Sequence, residues 1–231
     1  MDITISPGKL HGIVCAIPSK SQAHRLLICA ALTRGQTHLL CRETNRDIEA
    51  TAACLRSLGA QILRTPEGYT IDPISSIPSS AALNCGESGS TLRFLLPVAG
   101  ALGMDATFHM EGRLPQRPLS PLWEEMERMG CTLSHPTEDT IRCHGKLKPG
   151  AYSIAGNVSS QFITGLLFAI ELLGDSTLEV TGKIESAPYI QMTKAAMAQF
   201  FPNRRCGDTL SVEGDWSNGA FSWQPRPLEV Q

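Results

Sequence analysis

Apolar and polar positions along the chain change period in a fixed order, and that order occurs three times. In the first copy, Ser19-Lys20-Ser21 leads into a predicted helix over Gln22 to Leu32, with apolar residues at 26, 27, 30 and 31. The helical spacing stops at Arg34-Gly35, and Thr37 to Cys41 takes up as a strand. A second helix, about Asp47 to Leu58, sets Ile48, Ala52 and Leu55 on one face and ends at Gly59. Ala60 to Leu63 and Tyr69 to Ile71 then read as a strand pair around Pro66-Glu67-Gly68. The second copy has a helix over Thr91 to Leu102, a strand over Ala106 to Met110, a helix over Leu119 to Met129, and strands near 132–133 and 140–143. The third has Tyr152-Ser153-Ile154 as a leading strand, a helix over Phe162 to Leu173 and a strand over Ser176 to Val180. A helix over Tyr189 to Phe200 and a strand at Leu210-Ser211-Val212 complete it.

The glycines that stop the first helix of each copy, at 35, 103 and 174, lie 68 and 71 residues apart, which marks a repeat of the form βαβαββ. The first helix of each copy is apolar nearly all round and is expected to be buried. The second is one-sided and is expected to cover a surface. The expected fold is an α/β body of three βαβαββ units, with buried parallel helices and pseudo-threefold symmetry. The units fall at about 19–80, 81–150 and 151–214, preceded by two short strands in 1–18.

Symmetry of this kind brings the N-termini of the buried helices to one end of the body. Those starts are Lys20-Ser21, Ser88-Gly89-Ser90-Thr91 and Ser159-Ser160-Gln161, all rich in hydroxyls or backbone amides. Helix N-termini carry a partial positive charge and hold anions, and Lys20, Arg25 and Arg93 stand beside them. Arg113 to Pro118 adds Arg117 in a proline-stiffened turn, and Glu185 to Tyr189 adds the hydroxyls of Ser186 and Tyr189. Simple capping of each helix, a solvated charged loop and a buried tyrosine are the non-functional readings of the same stretches.

Composition narrows the ligand. A net charge of −2 excludes a surface built to coat nucleic acid, so any anion site is local. The longest apolar run, Phe162 to Ile170, is too short for a membrane span. The first residues lack the pattern of a secretory signal. The eight cysteines include no C-x-x-C pair and read as reduced thiols of a cytoplasmic protein, with no metal site. A small phosphorylated or carboxylated molecule is the expected ligand.

With these motifs assembled, the chain resembles the 5-enolpyruvylshikimate-3-phosphate synthase family (3-phosphoshikimate 1-carboxyvinyltransferase). The resemblance rests on Ser19-Lys20-Ser21 with Arg25, Gly86 to Arg93, Arg113 to Pro118, Gly156 to Gln161 and Glu185 to Tyr189, in family order. It implies an enolpyruvyl-transferase domain and transfer of the enolpyruvyl group of phosphoenolpyruvate to the 5-hydroxyl of shikimate 3-phosphate, without a cofactor. It further implies that Lys20, Ser21, Arg25, Ser159, Ser160, Gln161, Ser186 and Tyr189 hold shikimate 3-phosphate. Lys20, Gly89, Arg93, Arg117 and Gln161 hold phosphoenolpyruvate, with Lys20 also catalytic. The related transferase acting on a UDP-sugar, and a repeat domain without a ligand, are the alternatives.

The chain departs from the family in length. Family members are roughly twice this size, and their second domain carries the acidic residues for proton transfer and further basic residues. The resemblance therefore implies that strands 1–18 belong with that second domain, that 19–214 form the substrate-binding domain, and that 215–231 hold the interdomain crossing and an aberrant tail. The prolines in Ser222 to Gln231 cannot continue the apolar helix expected there, and a shifted reading frame is the expected origin. The expectation is a half-site that binds shikimate 3-phosphate weakly without turnover, unless a separate chain supplies the second domain.

Overall fold

The computed structural model describes Thr4, residues 18–201 and the strand backbones at 210–215 and 221–223. The strands expected in 1–18 and most of the tail lie outside the described residues. The first unit comprises α1 (Lys20–Leu32), β1 (Thr37–Leu40), α2 (Arg46–Ser57), β2 (Gln61–Thr65) and β3 (Gly68–Asp72). The second comprises β4 (Ser80–Asn84), α3 (Gly89–Leu102), β5 (Asp105–His109), α4 (Leu122–Arg128), β6 (Cys131–Ser134) and β7 (Thr140–Gly145). The third comprises β8 (Ala151–Ala155), α5 (Ser160–Leu173), β9 (Thr177–Lys183), α6 (Ala187–Phe200), β10 (Leu210–Asp215) and β11 (Phe221–Trp223).

Each unit contributes one sheet, in the orders β1-β3-β2, β4-β5-β7-β6 and β8-β9-β10-β11. In the first two, the strand after the buried helix pairs antiparallel with the last strand of the unit, as in Thr37↔Ile71 and Ala106↔Cys143. The third sheet breaks the pattern, because β10 runs parallel to β9 and antiparallel to β11. The terminal antiparallel pair is kept there as β10 and β11, but the strand after the buried helix pairs with its first member rather than its last, and the short strand β11 was not expected. Strand β4 was also missed, since Ser80-Ala81-Ala82 offers few β-branched or aromatic side chains.

The three buried helices each begin earlier than their apolar periodicity suggests, because a serine caps each one. Ser19 Oγ accepts from the Gln22 amide, Ser88 Oγ from Thr91 and Ser159 Oγ from Gln161. Lys20, Gly89 and Ser160 are therefore first-turn residues, with amides that point out of the helix end. Helix α4 is shorter than expected. Ser120 precedes Pro121, which disfavours helical backbone before that proline, so the helix starts only at Leu122.

Helices α3 and α5 form the centre of the core, and Phe94 meets Phe168 edge-on at 6.0 Å. Phe94, Phe162 and Phe168 are fully buried, each worth about 3 kcal/mol of apolar burial. The two helix backbones come close at Gly165, where a Cβ would overlap the Arg93 carbonyl oxygen. Pro97, one turn beyond Arg93, has no N–H to donate to that carbonyl. The proline and the glycine together let the helices close at this level, which fixes the α3 start relative to the α5 start. Among the described residues no helix is long and apolar enough to cross a membrane.

Candidate functional site

The start of α3 is an open backbone surface because Gly89 has no side chain. A Cβ at Gly89 would stand 3.2 Å from Arg117 Nη1 and 3.3 Å from Arg93 Nη1, so two guanidinium groups converge on the same point. Arg93 is held in place: Nη1 donates to Gln161 Oε1 at 2.7 Å, Nη2 donates to the Pro118 carbonyl at 3.1 Å, and its plane lies over Phe162. Gln161 in turn donates from Nε2 to Ser90 Oγ at 2.9 Å, which ties the first turn of α5 to that of α3. Burial and the like charge of Arg117 lower the Arg93 pKa. The Arg117 side chain has no hydrogen-bond or ion-pair partner among the described residues.

Lys20 reaches the same space from the first turn of α1. Its Nζ makes a 2.8 Å ion pair with Asp47 Oδ2 and stays half-exposed. Asp47 is fixed in the first turn of α2, whose cap Asn45 accepts from the Asp47 and Ile48 amides. Lys20, Asp47, Glu87, Gly89, Ser90, Arg117 and Gln161 line one cavity of about 420 Å³. Glu87 accepts from the Arg113 amide at 3.1 Å and so anchors the loop that carries Arg117. Three helix N-termini, each equivalent to roughly half a positive charge, and three basic side chains meet two carboxylates here. The balance favours a small anion.

Every residue expected on the phosphoenolpyruvate side, Lys20, Gly89, Arg93, Arg117 and Gln161, belongs to this cavity or bonds directly to its wall. Ser159 and Ser160 stand half-buried at the same α5 end. The remaining residues form a second group around Arg25, which is 2% exposed. Its Nε donates to Thr193 Oγ1, one Nη1 hydrogen to the Ser21 carbonyl, and Nη2 to Thr164 Oγ1 and the Tyr189 carbonyl. Four of its five N–H groups are therefore already bonded within the protein. Burial, opposed by Cys29 and Tyr189, lowers the Arg25 pKa to about 10. Tyr189 is exposed on α6, and exposed Ser186 precedes that helix in a left-handed conformation, φ 59°, without a side-chain capping bond.

Sequence reasoning missed Asp47, Glu87, Thr164 and Thr193. Asp47 could have been found as an acid in a helix first turn one repeat-unit helix away from Lys20. The two threonines carry no sequence signal, since each is one hydroxyl within an apolar helix.

A sequence model described as EPSP synthase (3-phosphoshikimate 1-carboxyvinyltransferase) matches residues 5–219. The chain is 41% identical over 203 residues to the 3-phosphoshikimate 1-carboxyvinyltransferase of Clostridium kluyveri, covering 86% of this chain and 47% of that protein. It is 41% identical over 240 residues to that of Clostridium botulinum Alaska E43, covering 94% of this chain and 55% of the relative. The chain thus spans about half the length of the curated relatives it matches. Among solved structures, EPSP synthase from Acinetobacter baumannii superposes with a TM-score of 0.69 at 21% identity, covering 88% of this chain and 47% of that one. That likeness concerns the fold.

Proposed function

The chain belongs to the EPSP synthase family, and from that premise we propose that its cavity is the phosphoenolpyruvate-binding wall of a cleft for enolpyruvyl transfer to shikimate 3-phosphate in aromatic biosynthesis. The observation that carries this reading is the convergence of Arg93 and Arg117 on the side-chain-free face of Gly89. Two guanidinium groups and outward amides suit a ligand with both a carboxylate and a phosphate, since each arginine can grip either group with two parallel bonds. Lys20, held by Asp47, faces the same space as a flexible point charge for phosphate and as the catalytic ammonium group. Gln161, bonded to both Arg93 and Ser90, bridges to the shikimate 3-phosphate side. There Ser21, Arg25, Ser159, Ser160, Ser186 and Tyr189 supply hydroxyls and one buried cation. Arg25 acts through its remaining N–H and by fixing the Ser21 and Tyr189 backbone.

The reaction joins the 5-hydroxyl oxygen of shikimate 3-phosphate to phosphoenolpyruvate and releases inorganic phosphate. It needs one proton added to and one removed from the enolpyruvyl carbon skeleton, at positioned groups. In this proposal residues 19–214 are the substrate-binding domain. The second wall, supplied by a further domain or a separate chain, excludes water and completes proton transfer. The 231-residue chain alone therefore binds without turnover, in a cytoplasmic setting.

Assays of phosphate release from both substrates, paired with calorimetric binding, test the proposal. Phosphoenolpyruvate binding should weaken about tenfold or more in Arg117→Ala, the cost of a charge-assisted bond, with thermal stability unchanged. Unaltered binding in Arg117→Ala would sink the assignment of this wall. Turnover by the chain alone would sink the half-site reading.

A further inference from the structure

Beneath the cavity floor lies a row of buried polar groups that neither ligand would touch. His24 Nδ1 is 2.7 Å from Thr51 Oγ1, which is 2.7 Å from Thr91 Oγ1, which is 2.8 Å from Ser88 Oγ. All four residues are at most 1% exposed, and they join α1, α2, α3 and the α3 cap. His24 Nε2 is buried with no hydrogen-bond partner among the described residues, and the ring stands edge-on to Phe94.

These facts fix the direction of the hydrogens. If Nε2 carried the proton, a buried N–H donor would be stranded, which native proteins tolerate less readily than an unused lone pair. The proton therefore sits on Nδ1 and is given to Thr51. Thr51 must then donate to Thr91. Thr91 donates to Ser88 Oγ, with the Asp47 carbonyl as a more distant acceptor at 3.4 Å. The chain of bonds runs one way and ends at the residue whose Oγ also accepts from the Thr91 amide. That bond is the cap that sets where α3 begins.

We infer that His24 is a positioning residue, whose Nδ1–H heads a one-way hydroxyl relay through Thr51 and Thr91 that holds Ser88, and with it the Gly89 amide surface, in place for an anion. The inference rests on the proposed reading of the cavity. It goes further by assigning a role in binding to a side chain that touches no ligand. An apolar side chain at position 24 removes the donor to Thr51, whose oxygen is then free to accept from Thr91, so the Thr91 hydroxyl turns away from Ser88 and the cap loses its fixed orientation. An asparagine can present an N–H close to the Nδ1 position and restore the direction.

Two measurements on the 231-residue chain test this. Imidazole nitrogen NMR should show His24 with Nδ1 protonated and Nε2 bare; the opposite tautomer overturns the relay. Titration with inorganic phosphate, followed at the Gly89 and Ser90 amides, should show binding weakened about tenfold in His24→Leu and within about twofold of wild type in His24→Asn. Wild-type affinity in His24→Leu overturns the inference. Should that variant not fold, Thr51→Val cuts the middle link with nearly the same shape and carries the same expectation. If the unaltered chain binds no phosphate, the reading of the cavity fails. The relay is then judged by the tautomer and by whether Thr51→Val moves the Gly89 and Ser90 amide signals, with unmoved signals overturning it.

Discussion

Gly89 and His24 show how a single residue sets local chemistry. Alanine at 89 puts a methyl group where the Arg93 and Arg117 guanidinium groups converge, at 3.3 and 3.2 Å. Both are ends of long side chains that can move aside, and alanine is the better helix former by about 1 kcal/mol. Gly89→Ala is therefore expected to keep or raise the melting temperature while weakening phosphoenolpyruvate binding about tenfold, as calorimetry of both properties would show. His24 is the pH-sensitive counterpart. Burial holds its pKa down to about 4 from the ordinary 6.5, against the Asp47 carboxylate and with help from the Lys20 and Arg25 charges. The unfolded chain takes up this proton near pH 6.5 and the folded chain only near 4. The stability is thus complete above 6.5 and is lost as pH falls towards 4. Between pH 7.5 and 5 the loss is about 2 kcal/mol. Urea midpoints should fall over that interval in the unaltered chain and fall much less in His24→Asn. At this scale the sequence was informative where charge and glycine coincide, as at Gly89-Ser90-Thr91-Leu92-Arg93. It was silent where one hydroxyl in an apolar helix does the work, as at Thr51, Thr164 and Thr193.

Among the elements, the buried helices were legible because an all-round apolar face has few other uses. Their beginnings were misplaced because periodicity reports packing, whereas a helix starts where its first amides find a partner. The capping serines at 19, 88 and 159 decide that point. Strand β4 was missed because its alanines and serines earn their place only by parallel pairing with β5, a long-range contact that local pattern does not encode. The α3–α5 contact is the element-level support of the site. A methyl group at position 165 would collide with the Arg93 backbone carbonyl, which cannot swing away as a side chain does. Gly165→Ala should cost about 2–3 kcal/mol in urea unfolding, and should perturb the Arg93–Gln161 bond in the variant that remains folded. A cost within experimental error would mean the two helices are not locked at this level.

For the whole molecule, the repeat alone predicts three helix starts on one surface, and Lys20, Gly89, Ser90 and Gln161 do line one cavity. What repetition could not tell was strand order, since two sheets share a pattern and the third, with β10 parallel to β9, does not. Charge explains why the site is local: a chain of net charge −2 brings Lys20 and Arg117 to one cavity, with Arg93 beside Gly89 at its wall. The central claim is that these three starts act together on one ligand. Amide NMR of the 231-residue chain titrated with phosphoenolpyruvate, then with shikimate 3-phosphate, tests it most directly. The account predicts that signals of residues 19–21, 87–91 and 159–161 move together along one saturating curve. Shifts confined to one helix start, or none at any of the three, would contradict it.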